Sequence, residues 1–322
     1  MESHATANGT WPPAGAACDT YGKRHCEYRA WIVWLHVALA TVALVSNVKL
    51  CGMLAYALRV KWFGPDFLFA LISGANLVYA MATLVFARHA IGDRWPASAL
   101  EVAVGGYVQS AYVLVYATLL LLGALEMWFA LEHPLWHLTQ LSSDFVVRVA
   151  AACVAAALLV SAAPALLAPH ASYTYYAPVF VYTLASYSPA HAAWMALVSL
   201  VCAFTIGFCA RVTLLVTRCD PCRKYTAEQR RTETCPCRLL RVSAFFLFRF
   251  AMTWWLDVML MIAFATLSTL ILLLHYSLYV NAVGDGFVYF LFIRRFRQNK
   301  RRIVKLLARN SQCGSVTLHV VL

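Results

Sequence analysis

Glu126-Met127-Trp128-Phe129-Ala130-Leu131-Glu132-His133-Pro134-Leu135 ends a long apolar run that begins near Ala97. Between Val102 and Leu125 the chain carries no charged residue. As a helix those 24 positions extend about 36 Å, more than the roughly 30 Å of a bilayer's hydrocarbon core. Two acids, an imidazole and a proline then arrive within ten residues. The stretch reads as the polar end of a membrane-spanning helix, and Glu126 reads most simply as the residue that ends it in water.

Composition agrees with that reading. Of 322 residues, 62% are hydrophobic and only 12% are charged, and the mean hydropathy is +0.68. Soluble domains average about 25% charged and about 45–50% apolar residues. The formal charge of +12 is local: eight basic residues and no acid fall between Arg294 and Arg309. Another eight, with three acids, fall between Arg211 and Arg241. Basic excess beside membrane spans marks the cytoplasmic side and implies anionic lipid as a partner, with no nucleic acid.

Seven apolar stretches are long enough to span: about 30–58, 65–86, 97–129, 145–167, 189–216, 239–263 and 269–293. The expected fold is all-α, a seven-transmembrane-helix bundle. The expected division is an extracellular segment over 1–29, the bundle over 30–293, and a cytoplasmic amphipathic helix and tail over 294–322. The basic 217–238 connector and basic tail share one side, so the N-terminus is expected outside and the C-terminus in the cytoplasm. Asn8-Gly9-Thr10 is a glycosylation sequon on the outside segment. No basic region followed by an apolar core opens the chain, so no cleaved signal peptide is expected. The loop from His170 to Ser188 has no Asp, Glu, Lys or Arg but holds Tyr173, Tyr175, Tyr176, Tyr182 and Tyr187. An interfacial tyrosine belt is the plainer reading and a ligand lid the sharper one.

The order of several motifs adds a resemblance. Glu126-Met127-Trp128 with His133-Pro134-Leu135 resembles the inner end of the third helix of rhodopsin-like (class A) G-protein-coupled receptors. There the family has Asp-Arg-Tyr and then His-Pro-Leu. Asn281 and Asp285-Gly286-Phe287-Val288-Tyr289, followed by Phe296 and a run of arginines, resembles the family's Asn/Asp-Pro-x-x-Tyr motif and the helix after it. Ser46-Asn47 resembles the Gly-Asn pair of the first helix, Ala75-Asn76-Leu77 resembles Ala-Asp-Leu, and Phe250 to Trp254 resembles the Phe-x-x-x-Trp switch. The departures are Met127 for arginine, Gly286 for proline, Asn76 for the acid, Leu256 for the sixth-helix proline, and Val102 for a cysteine.

The resemblance implies a plasma-membrane receptor that transmits an extracellular signal by a helix-packing change. The implied partners are a heterotrimeric G protein or arrestin and an extracellular ligand. Glu126, Met127, Trp128, Trp254, Asp285 and Tyr289 would form the switch and coupling set. Asn47, Asn76 and Asn281 would form a polar core with Asp285. Gln109, Asp257, His275 and Tyr279 would line an outer ligand pocket. The family holds a sodium ion near the polar core; a hydrogen-bonded cluster is the plainer expectation here. Met127 removes the cation that pairs with the helix-end acid and reaches the G protein, and Arg249 in span six is one replacement. The same departures also fit a non-signalling seven-helix partner of other receptors. Lys49, Glu126, Asp257 and Asp285 would suit a transporter, against which the lack of internal repeats counts.

Intramembrane polar residues cost roughly 2.5–3.5 kcal/mol each on insertion scales, so they tend to face the bundle and serve a function. Lys49 either pairs with Asp285 or reaches the interface. Cys18 and Cys26 lie outside and suit a small disulfide loop. Cys313 follows the basic amphipathic stretch and suits palmitoylation. Cys219-x-x-Cys222 and Cys235-x-Cys237 read as free or acylated thiols before they read as a metal site. Cys51, Cys153, Cys202 and Cys209 read as small core residues. No enzyme signature and no cofactor motif occurs.

Overall fold

The computed structural model describes residues 23–60, 64–91, 99–133, 136–137, 140–167, 173–176, 181–184, 189–218 and 282–285. It is helical apart from one short hairpin. The helices are α1 (Lys23–Val60), α2 (Gly64–Ile91), α3 (Ala99–Glu132), α4 (Ser143–Leu167) and α5 (Pro189–Arg218). Between α4 and α5 lie β1 (Tyr173–Tyr176) and β2 (Val181–Leu184). All five helices are long and apolar enough to cross a membrane, over Val33–Ala55, Phe67–Val85, Leu100–Phe129, Asp144–Ala163 and Ala196–Leu215. These are the first five expected spans. The stretches 239–263 and 269–293 lie outside the described residues, except for a helical turn at 282–285.

Three helix ends differ from expectation. The second helix runs to Ile91, past the expected end at Phe86. The first helix starts at Lys23, before its apolar span. The third continues to Glu132, and the His133 N–H still donates to Phe129 O at 3.0 Å. Backbone hydrogen bonding carries a helix past the point where its side chains turn polar. The next helix starts at a cap: Ser142 Oγ accepts from Phe145 N at 3.2 Å, and Asp144 sits in the first turn.

The third helix is the hub. It packs against α2, α4, α5 and both strands, while α1 packs chiefly on α2. Of its spanning window 67% is buried, against 17% for α4. Because lipid tails are as apolar as leucine, hydrophobicity alone does not say which face of such a helix turns inward. Small and polar residues do. On α1 the buried positions are Val33, His36, Ala40, Ala43, Asn47, Leu50 and Leu54, with Met53 beside the last. That alternation of three and four is the seam spacing of left-handed helix pairs. On α4, Val146, Ala150, Ala157 and Ser161 are buried, while Leu158, Leu159 and Val160 are exposed. The buried stripe of α4 is thus mostly small, although Ala151, Ala152, Ala155 and Ala156 are exposed along with the large residues.

The hairpin adds regular structure to the tyrosine-rich loop. Its strands are antiparallel, with Tyr173 opposite Leu184, Thr174 opposite Thr183, Tyr175 opposite Tyr182 and Tyr176 opposite Val181. Four-residue strands of β-favouring Tyr, Thr and Val are consistent with the local composition.

Leu119 on the hub is 1% exposed, whereas Leu159 on α4 is 72% exposed. Leu119→Ala is expected to destabilise the bundle by roughly 2–3 kcal/mol through the cavity it leaves. Leu159→Ala should change stability little. Thermal unfolding of the two variants in the same detergent checks this contrast.

Candidate functional site

Three helices and the 282–285 turn meet at a buried polar centre. The α1 seam brings in Asn47, α2 brings Ser73 and Asn76 on adjacent inward positions, and α3 brings Tyr112 and Tyr116 one turn apart. Asp285 enters from the helical turn. All six are buried. Ala43, Ala80 and Ala282 form a tight cluster of their own, each fully buried. Ala43 precedes Asn47 by one turn, Ala80 follows Asn76 by one turn, and Ala282 lies three residues before Asp285. Methyl side chains let the backbones approach closely enough for polar groups to bridge them.

The bonds form a connected set. Asn47 Nδ2 donates to Ala43 O and to Ala282 O, both at 2.8 Å. Asn47 Oδ1 accepts from Ser73 Oγ at 3.0 Å and from Asn76 Nδ2 at 3.2 Å. Asn76 Nδ2 also donates to Asp285 Oδ2 at 2.8 Å. Tyr112 donates its hydroxyl to Asn76 Oδ1 at 2.8 Å. Tyr116 donates to the Asp285 carboxylate at 3.0 and 3.3 Å. The Tyr112 ring is held by a parallel stack on Tyr79, with centroids 4.0 Å apart. Both amide protons of each asparagine are used, and each amide oxygen accepts at least one bond.

N–H and O–H donors are directed at the oxygens of Asn47, Asn76 and Asp285. Among the described residues the arrangement is a hydrogen-bonded joint between helices. Breaking one member leaves others buried without partners, so the network favours one packing and resists small displacements. Lys49, two residues after Asn47, lies on the exposed face of α1.

A second constellation occupies the far end of α3. Glu126 is buried, and its Oε1 lies 3.1 Å from His137 Nε2. The expectation that Glu126 ends the helix in water is therefore corrected. The helix continues beyond it, and the carboxylate is held against a histidine of the following segment. Met127 is fully buried within the main core. Trp128 packs on Phe208 of α5 and edge-on to His133, with centroids 5.6 Å away in each case. Phe129 packs on Trp136 at 4.8 Å. Glu132 makes an ion pair with Arg211 of α5 at 3.2 Å. The segment after α3 is thus pinned to the bundle by one polar and several aromatic contacts.

In the opposite half of α3, Gln109 is half-buried, and its Nε2 is enclosed without a partner among the described residues. The indole N–H of Trp194 on α5 is likewise enclosed and unpartnered there. Asp257, His275, Tyr279, Trp254, Asn281, Tyr289, Arg249, Asn8, Cys18 and Cys313 lie outside the described residues, as does the Cys26 side chain. Cys51, Cys153, Cys202 and Cys209 are free thiols, the last two buried.

Sequence reasoning missed Ser73, Tyr112, Tyr116 and His137. The tyrosines were legible in principle. A pair four apart in the middle of an apolar span is far from either interface, where tyrosine usually lies in a membrane protein. Ser73 and Asn76 share one face of α2 at a spacing of three. His137 gave no signal, because nothing in its neighbours shows that the chain turns back toward Glu126.

Asn76→Ala removes the central donor and acceptor at once and leaves Asn47, Asp285 and Tyr112 short of partners. It is expected to cost about 2–4 kcal/mol, and Tyr116→Phe about 1 kcal/mol. Their effects should be non-additive, since both act on Asp285. A double-mutant cycle by chemical denaturation measures the coupling. At the other constellation, His137→Ala should speed amide hydrogen exchange across 133–142 while leaving the centre of α3 protected. Exchange mass spectrometry reads both regions in one experiment.

No family model matches this chain, and a comparison with curated proteins finds no significant relative.

Proposed function

We propose that this helical membrane protein is a divergent rhodopsin-like seven-helix receptor of the plasma membrane, with its N-terminus outside and its C-terminus in the cytoplasm. The observation that carries the reading is the meeting of Asn47, Asn76 and Asp285 through 2.8–3.2 Å bonds. These residues come from three separate motifs that the resemblance assigns to one polar centre. In this reading an extracellular ligand or an intrinsic bias selects between helix packings, and the buried polar network contributes to the free-energy gap between them. The inner ends of the helices would then open toward a G protein or arrestin.

A second reading has its own observation. Met127 is fully enclosed in the core, and Glu126 is engaged by His137. No cation stands at 127 to reach a G protein. This favours a seven-helix scaffold that binds or escorts other receptors without signalling.

Recording G-protein dissociation in cells that display the chain at their surface, with and without candidate ligands, separates the two. The receptor reading expects dissociation above that of mock-transfected cells, reduced by Asn76→Ala. Silence in every pathway despite surface display sinks it. Met127→Arg, followed for surface display and dissociation together, tests the scaffold. The buried guanidinium should lower display unless it draws Glu126 away from His137, in which case signalling is gained.

A further inference from the structure

The exposed face of α5 carries a feature that neither the polar centre nor the receptor reading uses. Leu200, Ala203, Phe204, Gly207, Phe208 and Arg211 line an open groove of about 410 Å³. Five of the six are apolar or glycine, and the sixth is a cation at one end. Leu200 and Phe204, 54% and 53% exposed, form its walls. Gly207 forms its floor: a Cβ there would meet nothing within 4 Å. No neighbour's close approach requires glycine at this mid-helix position, where it costs stability relative to alanine. Its consequence is an open notch one turn from Arg211.

Arg211 is the one charged residue within the Ala196–Leu215 span. Its Nη2 is engaged by Glu132 at 3.2 Å, but the side chain remains 58% exposed. A guanidinium has five N–H donors in a planar fork that suits phosphate. Beyond it the chain is strongly basic, with seven further cations against three acids up to Arg241. An apolar groove that runs along a spanning helix and ends at a partly engaged arginine matches a lipid with an anionic headgroup. A second copy fits less well. A parallel copy related by a twofold axis would set two Arg211 side chains at one depth, where like charges repel.

We propose that this groove binds one anionic phospholipid, with an acyl chain over Gly207 between Leu200 and Phe208 and the negatively charged headgroup at Arg211. The inference needs a membrane but not a receptor, and it is separate from lipid attraction to the basic 294–309 stretch.

The test uses the full chain in detergent, incubated with equimolar phosphatidylserine and phosphatidylcholine of identical acyl chains, and reads retained lipid by native mass spectrometry. The wild type should prefer phosphatidylserine, and Arg211→Gln should lower that preference about fivefold, the share of one basic residue at an anionic surface. Arg211→Lys should keep most of it, which separates charge from folding. Glu132→Gln, which frees the guanidinium, should raise it. Gly207→Leu should reduce retention of both lipids by filling the notch. A preference unchanged by Arg211→Gln, or lowered by Glu132→Gln, overturns the headgroup contact. A dimer mass abolished by Gly207→Leu, with lipid retention unchanged, assigns the groove to a second copy and overturns the proposal.

Discussion

The Asn76 side chain donates to Asn47 on α1 and to Asp285 in the 282–285 turn, and accepts from Tyr112 on α3. Because it uses both amide protons and its oxygen, none of these neighbours can shift without leaving a buried group unpaired. In a hydrocarbon environment no water replaces the lost partner. The rest of the bundle is arranged to permit this contact. Ala43, Ala80 and Ala282 bring three backbones close, and the three-four seam of α1 turns Asn47 inward. The Tyr79–Tyr112 stack aims the hydroxyl at Asn76.

The third helix has a different kind of constraint at each level. Near its start Gln109 is enclosed but unpartnered among the described residues. In its middle Tyr112 and Tyr116 are fully engaged. Near its end Glu126 and Glu132 reach a histidine on the next segment and an arginine on α5. Fully satisfied groups hold a position, and unsatisfied ones leave room for another arrangement or another molecule. Under the proposed receptor reading, the pinned middle is the pivot and the two ends are where partners act. Under the scaffold reading, the same pivot simply keeps the helices together.

Five of the helices could be found from hydropathy, within about seven residues at each end. An apolar run of sufficient length has no other stable form in a bilayer, since every backbone group must be bonded within it. The hairpin was harder to find, because its strands are only four residues long and tyrosine there equally suits an interface. Asn47, Asn76 and Asp285 stood out as polar residues in apolar spans. Tyr112, Tyr116 and Ser73 did not, since each is common enough in membrane helices to pass as packing or belt.

Hydropathy and charge alone determined that the described part of the chain is mainly helical, that it suits a membrane, and where its first five spans lie. These follow from local properties: backbone satisfaction, apolar length and the position of cations. Tertiary structure alone decided which residues meet. It took Glu126 out of water and set it against His137, enclosed Met127, tied Glu132 to Arg211, and joined Asn76 to partners on three other segments. Helices that are apolar all round carry little local information about which face turns inward. That choice is made by small side chains that allow close approach and by polar groups that must find each other, and it appears only when the helices are brought together.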